Sequence, residues 1–155
     1  MTPTPSYTER LGVPLRWWVQ GTMLVATLWL AVVVSVPGPV AWVVTAVALG
    51  LLAVGLSAYG NARISVQDGS FRAGRAHIDA VYVGEATALD PDQTRRTAGV
   101  DADARAFLLL RPYLKRAVRV EIVDPADPTP YWLVCTRHPD ELAAALVAMS
   151  RSVDH

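Results

Sequence analysis

From Trp17 to Ala62 no side chain is acidic, basic or a histidine, and within those 46 residues the break in the apolar pattern falls at Pro37-Gly38-Pro39. A bilayer core about 30 Å thick is crossed by roughly 20 apolar residues at about 1.5 Å rise each. Residues 17–36 and 40–60 supply that length twice, so the pattern predicts two transmembrane helices joined by a tight turn at 37–39. The two prolines lack an N–H and Gly38 tolerates positive φ, which interrupts the helical ladder where the chain must reverse. Beyond Arg63 the period changes to two: Arg63-Ile64-Ser65-Val66-Gln67 alternates, and Asp68-Gly69 is a hairpin signal. Further strands are expected over 70–78, with Gly74 as a bulge or close-approach point, and over 81–89, 105–111, 117–123 and 131–136. Residues 90–104 are polar, contain Pro91 and Gly99, and read as a long loop with one helical turn. A helix over 139–151 carries the clearest marks. Pro139 suits its first position, Asp140 and Glu141 suit its positive end, and Leu142, Ala145, Leu146 and Met149 form one stripe.

Composition sharpens this division. An overall hydrophobic content of 52% averages an apolar hairpin with an ordinary water-soluble domain at 62–151, preceded by a short segment at 1–16. Residues 63–155 hold twelve basic and thirteen acidic side chains, a net charge of −1, which leaves no global attraction for nucleic acid. Cys135 is the single cysteine, so no intramolecular disulfide and no paired-cysteine metal motif is available. A cleaved signal peptide is the alternative for the first apolar stretch. Its length, its bulky Trp17-Trp18 start and the lack of an A-x-A site argue for a retained span. Arg10 and Arg16 before the hairpin and Arg63, Arg72 and Arg75 after it place both termini in the cytoplasm, at the plasma membrane, by the positive-inside rule.

No ionisable group lies within either span, and Gln20, Thr22, Thr27 and Thr45 can be satisfied locally. Channels and carriers usually retain a charged group at membrane depth, so the hairpin reads as an anchor in the lipid bilayer. Ala46, Gly50, Ala53 and Ser57 recur at helical spacing and form a small-residue face suited to helix packing. It serves either self-packing of the hairpin, with Gly21, Thr22 and Ala26 opposite, or a homodimer or another membrane protein.

Several antiparallel strands followed by one amphipathic helix resemble the element order of a pleckstrin-homology-like barrel of about six strands with a C-terminal helix, within an α+β domain. An open sheet with a helix on one face is the competing arrangement. At closer range, Tyr7-x-Glu9-Arg10-Leu11-x-Val13-Pro14, Asp68-Gly69-x-x-Arg72-Ala73-Gly74-Arg75-Ala76, Leu110-Arg111-Pro112-Tyr113 with Ala117-Val118-Arg119-Val120, and Asp124-Pro125-x-Asp127-Pro128-Thr129-Pro130-Tyr131-Trp132-Leu133-Val134 resemble an actinobacterial family of two-span membrane proteins known as a domain of unknown function. The resemblance implies an anchored architecture and a high-GC Gram-positive source, and it brings no activity with it.

Candidate contact residues are few. Arg111, Lys115, Arg116 and Arg119 form the densest basic group, able to meet anionic headgroups or to sit as a solvated turn with local ion pairs. Arg72 and Arg75 follow a turn whose Asp68 opposes phosphate binding. Asp124 and Asp127, in a proline-stiffened loop, offer either partner contacts or turn initiation. Tyr131 and Trp132 offer an aromatic recognition patch or a core contribution. Cys135 with His138 and His77 with Asp79 fall short of a catalytic constellation, and no phosphate-binding glycine loop, zinc signature or serine elbow is present. No cofactor is expected. The sequence therefore points to a two-helix anchor presenting a cytoplasmic binding or scaffolding module to a protein partner. The alternatives are an anionic-lipid sensor and an accessory subunit of a membrane complex, and an enzyme is disfavoured.

Overall fold

The computed structural model of the protein describes residues 6–36 and 38–153, so Pro37 of the expected turn lies outside the described residues. Two compact units result: one combines the N-terminal residues through Leu11 with the chain from Arg63 onward, and the other is Gly12–Ala62.

The second unit is a helical hairpin of α1 (Leu15–Ser35) and α2 (Val40–Tyr59), both long and apolar enough to cross a membrane. Among the described residues, eighteen of the 24 large hydrophobic side chains left exposed lie between Leu15 and Tyr59. An apolar surface of that extent is unfavourable in water and calls for a lipid or protein environment. Gly21 permits close approach of the helices, since a Cβ there would meet Leu52 Cδ1 at 2.8 Å. At the hairpin's two ends Trp17 stacks on Tyr59 at 6.3 Å and Trp29 tilts against Trp42 at 5.9 Å. Thr27 donates to the Met23 carbonyl and Thr45 to the Ala41 carbonyl, so their hydroxyls are satisfied inside their own helices.

Self-packing does not use the small-residue face. Ala41, Thr45, Ala48 and Leu52 are the α2 positions turned toward α1, whereas Ala46, Gly50 and Ser57 are exposed and a Cβ at Gly50 would meet nothing within 4 Å. At about 100° per residue the two faces lie roughly 150° apart around the helix.

The first unit contains eight strands rather than about six. β1 (Tyr7–Arg10), β2 (Arg63–Gln67), β3 (Ser70–Ala73) and β4 (Ala76–Asp79) form an antiparallel sheet in that order, with the whole helical hairpin inserted between β1 and β2. The register pairs Tyr7 with Val66 and Arg10 with Arg63. What reads in sequence as one strand over 70–78 is two, because Gly74 at φ +64° turns the chain and its amide donates to the Arg63 carbonyl at 2.8 Å. A 3₁₀ turn over Ala80–Tyr82 replaces the expected start of the next strand.

β5 (Val83–Leu89), β6 (Phe107–Leu109), β7 (Ala117–Ile122) and β8 (Tyr131–Cys135) build a second sheet in the order β5-β7-β8-β6. β6 is shorter than expected and runs parallel to β8. The expected loop at 90–104 contains a two-turn helix, α3 (Pro91–Ala98), started by a capping box: Gln93 N–H donates to Asp90 Oδ1 at 2.7 Å, and Asp90 N–H donates to Gln93 Oε1 at 3.0 Å. Finally α4 (Pro139–Arg151) buries Leu142, Leu146 and Met149. The inward residues of the first sheet, Ile64, Val66 and Phe71, are fully buried, and Phe71 tilts against Trp132 of the second sheet at 5.7 Å.

A buried carboxylate fastens β1 in place. Glu9 accepts hydrogen bonds from the Thr136 hydroxyl, from the Tyr7 hydroxyl at 2.8 Å and from the Arg137 backbone N–H at 3.0 Å. The Thr136 hydroxyl in turn accepts from the His138 N–H at 3.1 Å, and Arg137 Nη1 donates to the Arg10 carbonyl at 3.1 Å. The first strand is thus clasped to the β8–α4 junction by side chains 127 positions away. Burial, followed in size by effects of Thr136 and Glu9 that oppose one another, pushes the Tyr7 phenol up to about 12.

Glu9→Ala leaves buried donors without an acceptor and is expected to cost about 3 kcal/mol, read as a lower denaturant midpoint. Because the folded phenol titrates above its unfolded value of about 10, its contribution is complete below pH 10 and declines as pH rises toward 12. The stability difference between the natural chain and Tyr7→Phe is therefore expected to shrink across that window, by pH-dependent unfolding. In the hairpin, Gly21→Leu is expected to lower the melting temperature in detergent micelles and Gly50→Leu to leave it unchanged, since only the first meets Leu52.

Candidate functional site

The second sheet is covered on both faces, and its outer cover makes a cleft. On that side Leu89, Ala117, Tyr131, Leu133 and Cys135 form a buried cluster with Ala98, Ala106, Leu110 and Leu114 packed against it. α3 lies over this cluster with Thr94 buried beneath it, which the capping box at Asp90 and Gln93 fixes in place. Between helix and sheet opens a cleft of about 380 Å³, with Gln93, Arg96 and Thr97 on the helix side, Asp101 after it, and Arg119 and Tyr131 on the sheet side.

Its electrostatics are mixed. The Arg119 guanidinium lies 4.6 Å from the Tyr131 ring centroid, a cation–π contact on a ring whose hydroxyl accepts the Asp103 N–H at 3.0 Å. Arg96 Nε stands 3.8 Å from Asp101 Oδ2, with both side chains mostly exposed, so the pair is weak and exchangeable. Two guanidiniums, one carboxylate and neutral hydrogen-bonding groups can receive an acidic side chain or another small anion. They supply no nucleophile with a base beside it.

The basic group read from sequence is divided. Arg119 points along the sheet to Tyr131, Arg116 pairs with Asp140 at the start of α4 at 3.7 Å, and Arg111 Nη1 donates to the Leu110 carbonyl at 3.1 Å. Lys115 is exposed in the same connection. The alternation of β7 explains the split, since Arg119 belongs to the strand and the other three to the turn before it.

Tyr131 and Trp132 do not form a surface patch. Both are about 5% exposed, and Trp132 tilts against Phe71 and, at 5.1 Å, against Phe107. Every residue of β8 is buried, because one face meets the first sheet, where Trp132 lies against Phe71, and the other lies in the cluster covered by Ala98, Ala106, Leu110 and Leu114. Asp124 and Asp127 are turn formers: Asp124 Oδ1 accepts the Ala126 N–H at 2.8 Å and Asp127 Oδ1 the Thr129 N–H at 2.9 Å. The bonds from Thr129 hold the Asp127 carboxyl below its ordinary range. Among the described residues no three His, Cys, Asp or Glu side chains converge as a metal site.

Cys135 is buried, its thiol directed to the Leu114 carbonyl at 3.9 Å, and burial pushes its pKa up. His138 makes its contact through its backbone N–H to Thr136. His77 lies opposite Arg72, and Asp79 opposite Ser70, on an exposed sheet face. Sequence reading misses Arg96 and Asp101, although Asp90-Pro91-x-Gln93 is a legible helix start that would have placed them. It also misses Glu9, for which no local signal exists.

A buried, proton-retaining thiol is a poor nucleophile. Cys135 is accordingly expected to resist iodoacetamide at neutral pH in the folded chain and to react once the chain is unfolded, followed by intact mass.

No curated protein and no solved structure matches the chain. The family model described as Protein of unknown function (DUF3093) matches residues 6–146, from the residue before β1 through the hairpin to the buried Leu146 of α4, and the chain belongs to that family.

Proposed function

We propose that the chain is a plasma-membrane protein whose two helices anchor a cytoplasmic binding module, and that the module recruits a protein partner through the cleft beneath α3. The observation that carries the anchored part is the pairing of β1 with β2. Strands joined by hydrogen bonds lie on the same side of any membrane, so the chain between them crosses an even number of times. Two helices of spanning length satisfy that parity. Removal of α1 as a signal peptide would also remove β1 and the buried Glu9, which speaks for retention of the segment. The arginines flanking the hairpin favour the cytoplasm as the common side.

Two four-stranded sheets with a C-terminal helix packed on them support a pleckstrin-homology-like reading of the soluble unit. The parallel β6–β8 pair and α3 are departures from it. Anchoring concentrates such a module beside other membrane proteins, so moderate affinity suffices for recruitment. Exposed Ala46, Gly50 and Ser57, with half-buried Ala53 at their edge, offer a neighbouring helix a second contact, either from another protein or from a second copy.

Reporter fusions at the two ends of the chain are expected to register the same, cytoplasmic compartment, and opposite compartments would overturn the anchored reading. For recruitment, the full chain purified from its host in mild detergent is expected to carry a specific protein that Arg96→Ala/Arg119→Ala loses and Arg95→Ala retains. Equal recovery by all three chains would remove the cleft from the recruiting surface.

A further inference from the structure

The outer face of the first sheet separates charge along its strands. Its register makes three rows opposite the core: Arg10 beside Arg63, then Thr8, Ser65, Arg72 and His77, then Gln67, Ser70 and Asp79. Arg75 extends the first row, because it sits in the β3–β4 turn whose Gly74 is bonded to the Arg63 carbonyl. Acidic side chains are confined to the other end, at Asp79 and at the Asp68–Gly69 turn. Arg63, Arg72 and Arg75 are exposed and take part in no ion pair among the described residues.

Two features make this more than a solvated face. Like charges directly opposite each other destabilise a strand pair, yet Arg10 and Arg63 are register partners. The cationic end is also the end at which the chain departs for the helices: five positions separate Arg10 from Leu15, and four separate Tyr59 from Arg63. Extended chain of that length reaches at most about 18 Å.

We propose that this cationic end, built on Arg63, Arg72 and Arg75 with Arg10 beside them, binds the anionic phospholipid headgroups of the membrane that α1 and α2 enter. The inference rests on the anchored reading above. Guanidinium groups bind phosphate oxygens in bidentate fashion, and the exposed Arg63, Arg72 and Arg75 present three of them at one end of the sheet. The near-neutral balance of the soluble unit makes the attraction a property of local placement, with Asp68 and Asp79 at the opposite end of the strands. The 111–119 group serves less well, since Arg116 is taken by Asp140 and Arg119 by Tyr131.

The test uses the full chain in nanodiscs of phosphatidylcholine alone or with phosphatidylglycerol. An environment-sensitive fluorophore is attached at His77→Cys, the buried Cys135 being out of competition. Phosphatidylglycerol is expected to shift the emission blue and shield the dye from acrylamide. Half-molar salt, which shortens the Debye length to about 4 Å, should reverse both effects. At about fivefold per arginine, Arg63→Gln/Arg72→Gln/Arg75→Gln is expected to reduce the lipid-engaged population about a hundredfold. The exposed pair Arg95→Gln/Arg105→Gln should leave it unchanged. Incorporation with identical emission in both lipids would overturn the inference while leaving the anchor intact. Failure of the chain to remain with the discs would overturn the anchored reading and this inference with it. A response to single-stranded DNA or an acidic peptide, without one to phosphatidylglycerol, would assign the face to another polyanion and overturn the lipid proposal.

Discussion

The ladder between β1 and β2 is the constraint from which the architecture follows. It joins residues 7–10 to residues 63–66 across the entire helical hairpin, so both ends of the intervening segment are held one strand spacing apart. Closing so long a loop is costly in chain entropy, although the cost grows only slowly with length. Four ladder positions alone would be a weak closure. Glu9 strengthens it, because a carboxylate with three donors in a buried setting cannot leave without exposing the Thr136 hydroxyl and the Arg137 amide to an unsatisfied state. The first sheet and the β8–α4 junction are therefore closed together by Glu9, and the family match spans both strands of that closure and the segment between them.

How much of this was legible in the chain depends on whether the signal is local. The hairpin helices were legible because an uncharged apolar stretch of spanning length states its own environment. β2, β7 and β8 were legible because alternation or a continuous apolar run marks them. β1 was not, since Tyr-Thr-Glu-Arg has no apolar period and becomes a strand only by pairing with β2. Gly74 permits either a bulge or a turn, and its positive φ together with the Arg63 bond decides for the turn. α3 is the instructive miss. Its eight residues lack an apolar stripe, yet Asp90, Pro91 and Gln93 are a complete start signal for a helix. The polar composition of 90–104 suits a loop, and the cap chemistry at its start makes a helix of it.

The contact surface was less legible because burial is a long-range property. Tyr131-Trp132 after a proline-rich loop reads equally as a patch or as core, and only the two-sided cover of β8 resolves it. The basic group at 111–119 is continuous in sequence and discontinuous in space, since a strand begins within it and sends Arg119 away from Arg116. Linear charge density predicts neither the cleft near Arg96 nor the polarised face near Arg63. Both arise from register and helix placement, which set distant charges side by side.

Register also explains why that polarity is stable in spite of its internal repulsion. Sliding β1 by one residue would separate Arg10 from Arg63, but it would also turn Glu9 out of the interior and Thr8 or Arg10 into it. The charge-assisted bonds of Glu9 outweigh one exposed like-charge contact, which in water is worth only a fraction of a kcal/mol. The buried clasp on one face of β1 thereby dictates the cationic pair on the other. A feature that looks like a local fault in the sheet is the consequence of a stronger interaction one residue away, and it leaves positive charge concentrated where the chain turns toward its apolar helices.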